Sequence, residues 1–171
     1  MNGQSLFRYV VSGLFVASSI IGAAACGPSG GRAAHQMRPI DEGRAVKLIA
    51  QALADDGLVA TPPRTVMLRN NTEVTLDVGV ADRKVGVIYL TANDLQKIPG
   101  HSAAAKNDSQ DLHFEPGDGP DIGSRFVILV ASDYTYDDNV GTDHEQTATT
   151  AENKLQRDVR DFVFIAKKNG W

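Results

Sequence analysis

One cysteine, Cys26, and one tryptophan, Trp171, are all that the 171 residues contain of these types, and the first scarcity excludes a class of architecture. A lone cysteine forms no intrachain disulfide, so a folded domain here has to be held by its hydrophobic core. Aromatic residues make up 6%, too few for a sugar-stacking platform or an aromatic cage. Basic residues are outnumbered, 17 Lys and Arg against 21 Asp and Glu, with no basic stripe. Nucleic acid is therefore not an expected partner. After Cys26 no apolar run approaches the roughly 20 residues that a spanning helix needs. Glycine-rich phosphate loops, His-Glu-x-x-His helices and internal repeats are also missing.

What is present begins at the amino terminus. Residues 1–25 have the grammar of an export signal: a polar start with Arg8, an apolar stretch over 9–21, and a small-residue close at Gly22-Ala23-Ala24-Ala25. The stretch is short for a spanning helix and is interrupted by Ser12, Gly13, Ser18 and Ser19, which favours cleavage over retention. Arg8 is the only charged residue in this segment, so its removal leaves 16 basic and 21 acidic residues and a net charge of −5.

Small residues followed directly by Cys26 resemble the lipobox of bacterial lipoproteins, with Ala23 standing where leucine is usual. The resemblance covers residues 1–26. It implies that the Cys26 thiol carries diacylglycerol, that the signal is cut before Cys26, and that the new amino terminus is acylated with a chain such as palmitate. Cys26 is then the lipid attachment site and the membrane the first partner. The aspartate that favours inner-membrane retention in that family is replaced by Gly27, which implies the outer membrane of the cell envelope. Two or three acyl chains hold a protein stably where one does not, at about 0.8 kcal/mol per buried methylene. Ala23-Ala24-Ala25 also satisfies the rule for ordinary signal cleavage, the alternative reading.

Residues 26–40 read as the lipidated cysteine and a flexible tether, rich in small and turn-forming residues, with a typical span of roughly 20 Å. His35 in it reads as a solvated residue. Residues 41–171 are one domain's worth. Asp41 caps a helix whose apolar positions are Val46, Ile49, Ala50 and Leu53, and Gly57 stops it. After Pro62-Pro63, 65–69 reads as a strand and Asn70-Asn71 as a hairpin turn. Val74, Leu76, Val78 and Val80 then alternate with Glu73, Thr75, Asp77 and Gly79, a strand with one buried face. Residues 84–91 and 125–131 are apolar on both faces and belong at the centre of a sheet. Between them, 92–98 reads as a short helix and 101–123 as a long surface loop, in which His113 flanks the apolar Phe114. Thr149 with Glu152 reads as a capping box for a helix over 151–168, apolar along Leu155, Val159, Phe162, Val163 and Ala166.

The expected class is α+β: a mixed, mainly antiparallel sheet of about four strands, packed by an N-terminal and a long C-terminal helix. Short links make the first three strands a meander, and the long excursion before the fourth permits a parallel return. This order resembles the core of the restriction-endonuclease-like superfamily. That likeness implies a metal-binding acid on the second strand, for which Asp77 stands, and an acid-x-lysine on the third, where Val87-Ile88-Tyr89-Leu90 stands instead.

One polar constellation follows the second two-faced strand: Asp133, Asp137, Asp138, Asp143, His144 and Glu145. Carboxylates in proximity suit calcium, and histidine with carboxylates suits zinc or manganese, so these six are the candidate ligands for a divalent metal. Tyr134 and Tyr136 read as packing or partner contacts. With no catalytic signature, the expected function is a noncatalytic binding or accessory module, lipid-anchored in the cell envelope, that meets a protein partner. The alternative is a metal-dependent hydrolase or secreted effector using the loop over 133–145.

Overall fold

The computed structural model describes residues 37–96, 98, 112–137 and 146–171. Among these residues three α-helices, α1 (Glu42–Asp55), α2 (Ala92–Leu95) and α3 (Ala148–Lys168), accompany nine strands. These are β1 (Met37–Pro39), β2 (Ala60–Thr61), β3 (Arg64–Leu68), β4 (Thr72–Leu76), β5 (Val78–Val80), β6 (Val85–Leu90), β7 (His113–Pro116), β8 (Arg125–Val130) and β9 (Thr135–Asp137). The class is α+β, as expected, around a mixed five-stranded sheet in the order β2-β5-β6-β8-β7. Its one parallel pair is β6 with β8, joined by the long excursion; the other pairs are antiparallel.

β2 and β3 together run antiparallel to β4 and β5 together, and one register holds across both halves. Ala60 faces Val80 and Arg64 faces Leu76, so no residue is gained or lost between them. The ladder is interrupted where Pro62-Pro63, which lack N–H donors, lie opposite Asp77 and Val78. The result is one long hairpin, bent at its middle. Its lower half joins the central sheet, and its upper half folds over one face of that sheet. Gly86 permits the bend: a Cβ there would lie 2.7 Å from the Val78 carbonyl oxygen and 2.7 Å from Leu76. Asn71, at the hairpin turn, has a φ of 56°, the left-handed geometry that asparagine tolerates.

The bend explains why β6 and β8 are apolar on both sides. Val87, Tyr89, Val127 and Leu129 meet Ile49, Leu53, Leu155, Val159 and Phe162 of the helices in one core. Ile88, Leu90, Phe126 and Ile128 meet Val66, Leu68, Val74 and Leu76 of the hairpin in a second. The described residues are thus layered as helices, sheet and hairpin.

Several boundaries differ from the sequence expectation. The sheet has five strands rather than about four: β2 and β7 enter it from stretches not read as strands, while β3 pairs with β4 outside it. His113-Phe114-Glu115-Pro116 has too little apolar pattern to announce a strand, yet the edge of β8 supplies partners for its backbone. Phe114 packs near Phe162 and Trp171, with ring centroids 6.2 and 5.4 Å away, and His113 contacts Glu115 at 2.7 Å. The fold also takes in residues 37–40 of the expected tether: β1 pairs with β9, and Ile40 is buried. α3 starts earlier, capped by Thr147, whose hydroxyl accepts from the Thr150 N–H at 3.2 Å. Glu152 instead forms an ion pair with Arg44 of α1. α2 ends at Leu95, short of residue 98. Asp41 caps α1 as expected, accepting from the Arg44 N–H at 3.2 Å, although Ala45 and Ala52 take core places with Ile49 and Leu53 while Ala50 is half-buried.

Candidate functional site

Asp77 falls at the bend of the hairpin, where β4 turns away from β6. Alternation places it with Glu73 and Thr75 on a solvent face; it is in fact 6% exposed. The reason is local. Divergence of two paired strands leaves backbone donors of β6 without their ladder acceptors, and buried N–H groups need partners. The Asp77 N–H still reaches the Val87 carbonyl at 3.2 Å, and the Asp77 carboxylate Oδ2 accepts from the Tyr89 N–H at 2.7 Å. A side chain thereby replaces a strand at the split.

The split opens a cleft of about 310 Å³ at the carboxyl end of β6. Thr65, Glu73, Thr75 and Asp77 line it from the hairpin, Tyr89 and Leu90 from β6, Glu42 from the first turn of α1 and Asp94 from α2. Crevices outside the carboxyl ends of central strands are recurrent ligand sites in sheet proteins. Four of these residues are acids, and none of the described residues lining the cleft is basic. Burial pushes the Asp77 carboxyl up to about 6 from its ordinary 3.8, the Tyr89 N–H opposes the rise, and the Glu42 and Asp94 carboxylates add to it. Asp94 also caps α2, accepting from the Thr91 N–H at 3.3 Å and from the Thr91 hydroxyl.

The wall behind Asp77 is tied to β1. The buried Tyr89 hydroxyl donates to the Ile40 carbonyl at 2.9 Å, and the Ile40 N–H donates to the Tyr134 carbonyl at 3.0 Å. Burial raises the phenol of Tyr89 above its ordinary range, with the Asp41 and Glu42 carboxylates adding to the effect. β1 therefore leads through Ile40 and Asp41 into Glu42 at the cleft. Replacing Tyr89 by Phe should cost about 1 kcal/mol, the net worth of one hydrogen bond, and should speed amide exchange at Ile40. Unchanged exchange at Ile40 would show that this bond does not hold the strand.

The residues singled out by sequence are distributed otherwise. Cys26, Asp138, Asp143, His144 and Glu145 lie outside the described residues. Asp133 ends a short turn after β8, where its carbonyl accepts from Lys154 Nζ at 2.8 Å. Asp137 ends β9, and its N–H donates to the Gln146 carbonyl at 2.9 Å. Tyr134 is a packing residue: buried, hydrogen-bonded to Asp158 at 2.9 Å, and 6.2 Å from the Tyr89 ring. Tyr136 is half-buried against the helix-side core. Among the described residues no group of three His, Cys, Asp or Glu side chains is placed to hold a metal ion.

Of the cleft acids, the sequence singles out Asp77 alone. Glu42 reads as a helix-start acid, Glu73 as a solvent-facing strand residue and Asp94 as part of a short helix, and their convergence depends on the bend. The paired prolines opposite Asp77 were the available signal. The chain matches no family model, and no curated protein or solved structure matches it either.

Proposed function

We propose that the chain is a lipid-anchored protein of the bacterial cell envelope that works as a noncatalytic binding module, with the cleft beside Asp77 as its binding site. The observation that carries the binding half is the composition of the cleft wall. Among the described residues its ionisable groups are carboxylates and one buried phenol, which can hold a ligand. The anchoring half rests on the leader and its small-residue close before Cys26, with Gly27 favouring the outer membrane. The lipid on Cys26 is the only cofactor the reading needs, and an envelope protein is the expected partner.

Metabolic labelling with a palmitate analogue tests the anchor. Wild-type protein should incorporate label and sediment with membranes. Cys26→Ser should lose the label and leave the membrane fraction, a change of at least tenfold in the membrane-to-soluble ratio. A Cys26→Ser protein that stays labelled and membrane-bound would refute the anchoring half.

A further inference from the structure

We infer that the cleft takes an organic cation, an ammonium or guanidinium group on a short apolar stem, held by Asp77 and Glu73. The inference rests on the reading of the cleft as a binding site and specifies its ligand class. Its first support is Asp77 itself. The residue is 6% exposed, its carboxylate Oδ2 accepts from the Tyr89 N–H at 2.7 Å, and no basic side chain among the described residues pairs with its charge. Asp77 lines the cleft. A nearly buried carboxylate without a cationic partner, beside an open volume, is complementary to a charged donor that enters from outside.

The second support is charge. Glu42 of α1 and Glu73 of β4 line the same volume, and neither makes an ion pair among the described residues. A cation entering there meets carboxylates from separate elements, in a setting partly withdrawn from water where Coulomb attraction is stronger than at an open surface. The third support is shape and polarity. About 310 Å³ is at the small end of ligand pockets, room for a side-chain-sized group. Val74, Leu90 and Ile98 add apolar wall for a methylene stem, and the Thr65 and Thr75 hydroxyls add neutral hydrogen-bonding groups. Calcium is the poorer fit. It asks for six to eight oxygens within about 2.6 Å, and the described residues converge no three acidic ligands on one point.

The test is a titration of the mature, lipidated protein in detergent micelles at about 0.15 M salt, read at the Tyr89 amide resonance because that N–H contacts the Asp77 carboxylate. The probes are argininamide and butylammonium, with butanol and calcium chloride as comparators. Both organic cations should shift the Tyr89 amide saturably. Asp77→Asn should weaken binding at least tenfold, and Glu73→Gln, at an exposed position, several-fold without unfolding the protein. If butanol or calcium moves the resonance and the organic cations do not, the ligand class is wrong and the cleft remains a binding site. If no probe moves it, the ligand class and the cleft reading fall together. Equal binding by wild type and Asp77→Asn would overturn the role given to Asp77.

Discussion

Asp77→Asn is expected to unfold at a higher temperature than the wild type at pH 7.5, by roughly 5 to 10 °C, and the advantage should shrink as the pH falls below 6. In the folded protein the carboxyl keeps its proton up to about 6, against 3.8 as the ordinary value. The folded state therefore binds the proton more tightly than the unfolded chain. Above pH 6 the ionised carboxylate is held in a site that disfavours it, at a cost of about 3 kcal/mol from the size of that shift. As pH falls through 6 toward 3.8 the folded protein takes up a proton that the unfolded chain still lacks, and stability is recovered. Asparagine keeps an acceptor for the Tyr89 N–H and never carries the charge. Thermal melts of both proteins between pH 4 and 8 check the prediction; an Asp77→Asn protein less stable at every pH would refute it. A side chain that costs its own fold this much at neutral pH is the kind that binding sites retain.

Phe126→Ala should lose about 3 to 5 kcal/mol, a large share of the stability of a domain this size. Phe126 is 1% exposed and lies in the core between the sheet and the folded-over hairpin, with Val66, Leu68 and Leu76. A cavity there has no flexible neighbour on the sheet side, since β8 is held by β6 and β7 along both edges. Urea denaturation measures the loss as a shift in midpoint at unchanged slope. The same substitution would cost under about 0.5 kcal/mol if the hairpin left that face of β8 in water. The prediction thus tests the layering as well as the residue.

The two-faced strands were legible because burial on both sides leaves no polar alternation: β6 and β8 read directly from 84–91 and 125–131. α1 and α3 were legible from helical spacing, and the parallel return of β8 from the length of its excursion. What covers the second face of the sheet was not. Val66, Leu68, Val74 and Leu76 alternate as they would in any half-buried hairpin, and nothing in that pattern says which surface the hairpin lies upon. Four short strands, β1, β2, β7 and β9, escaped for another reason. Each is two to four residues long and exists through the partner it pairs with, so local sequence carries little of its signal.

The cleft shows the same division. Asp77 stands out in the sequence as an acid in a strand, and the pattern assigns it to water. Its burial follows from Pro62-Pro63, two residues that cannot complete the ladder opposite it. Glu42, Glu73 and Asp94 then reach one volume from α1, β4 and α2, a meeting that depends on three long-range packings. The proposed anchor is the reverse case: Cys26 lies outside the described residues, and the reading of it rests on the sequence alone.

The most direct measurement on the central claim is a carbon-13 titration of the Asp77 side-chain carboxyl in the full-length protein, alone and saturated with argininamide. A midpoint of about 6 in the free protein, falling when the cation is bound, is the predicted result. A midpoint near 3.8 that argininamide leaves in place would contradict the account, since Asp77 would then be an ordinary surface acid with no cation to hold.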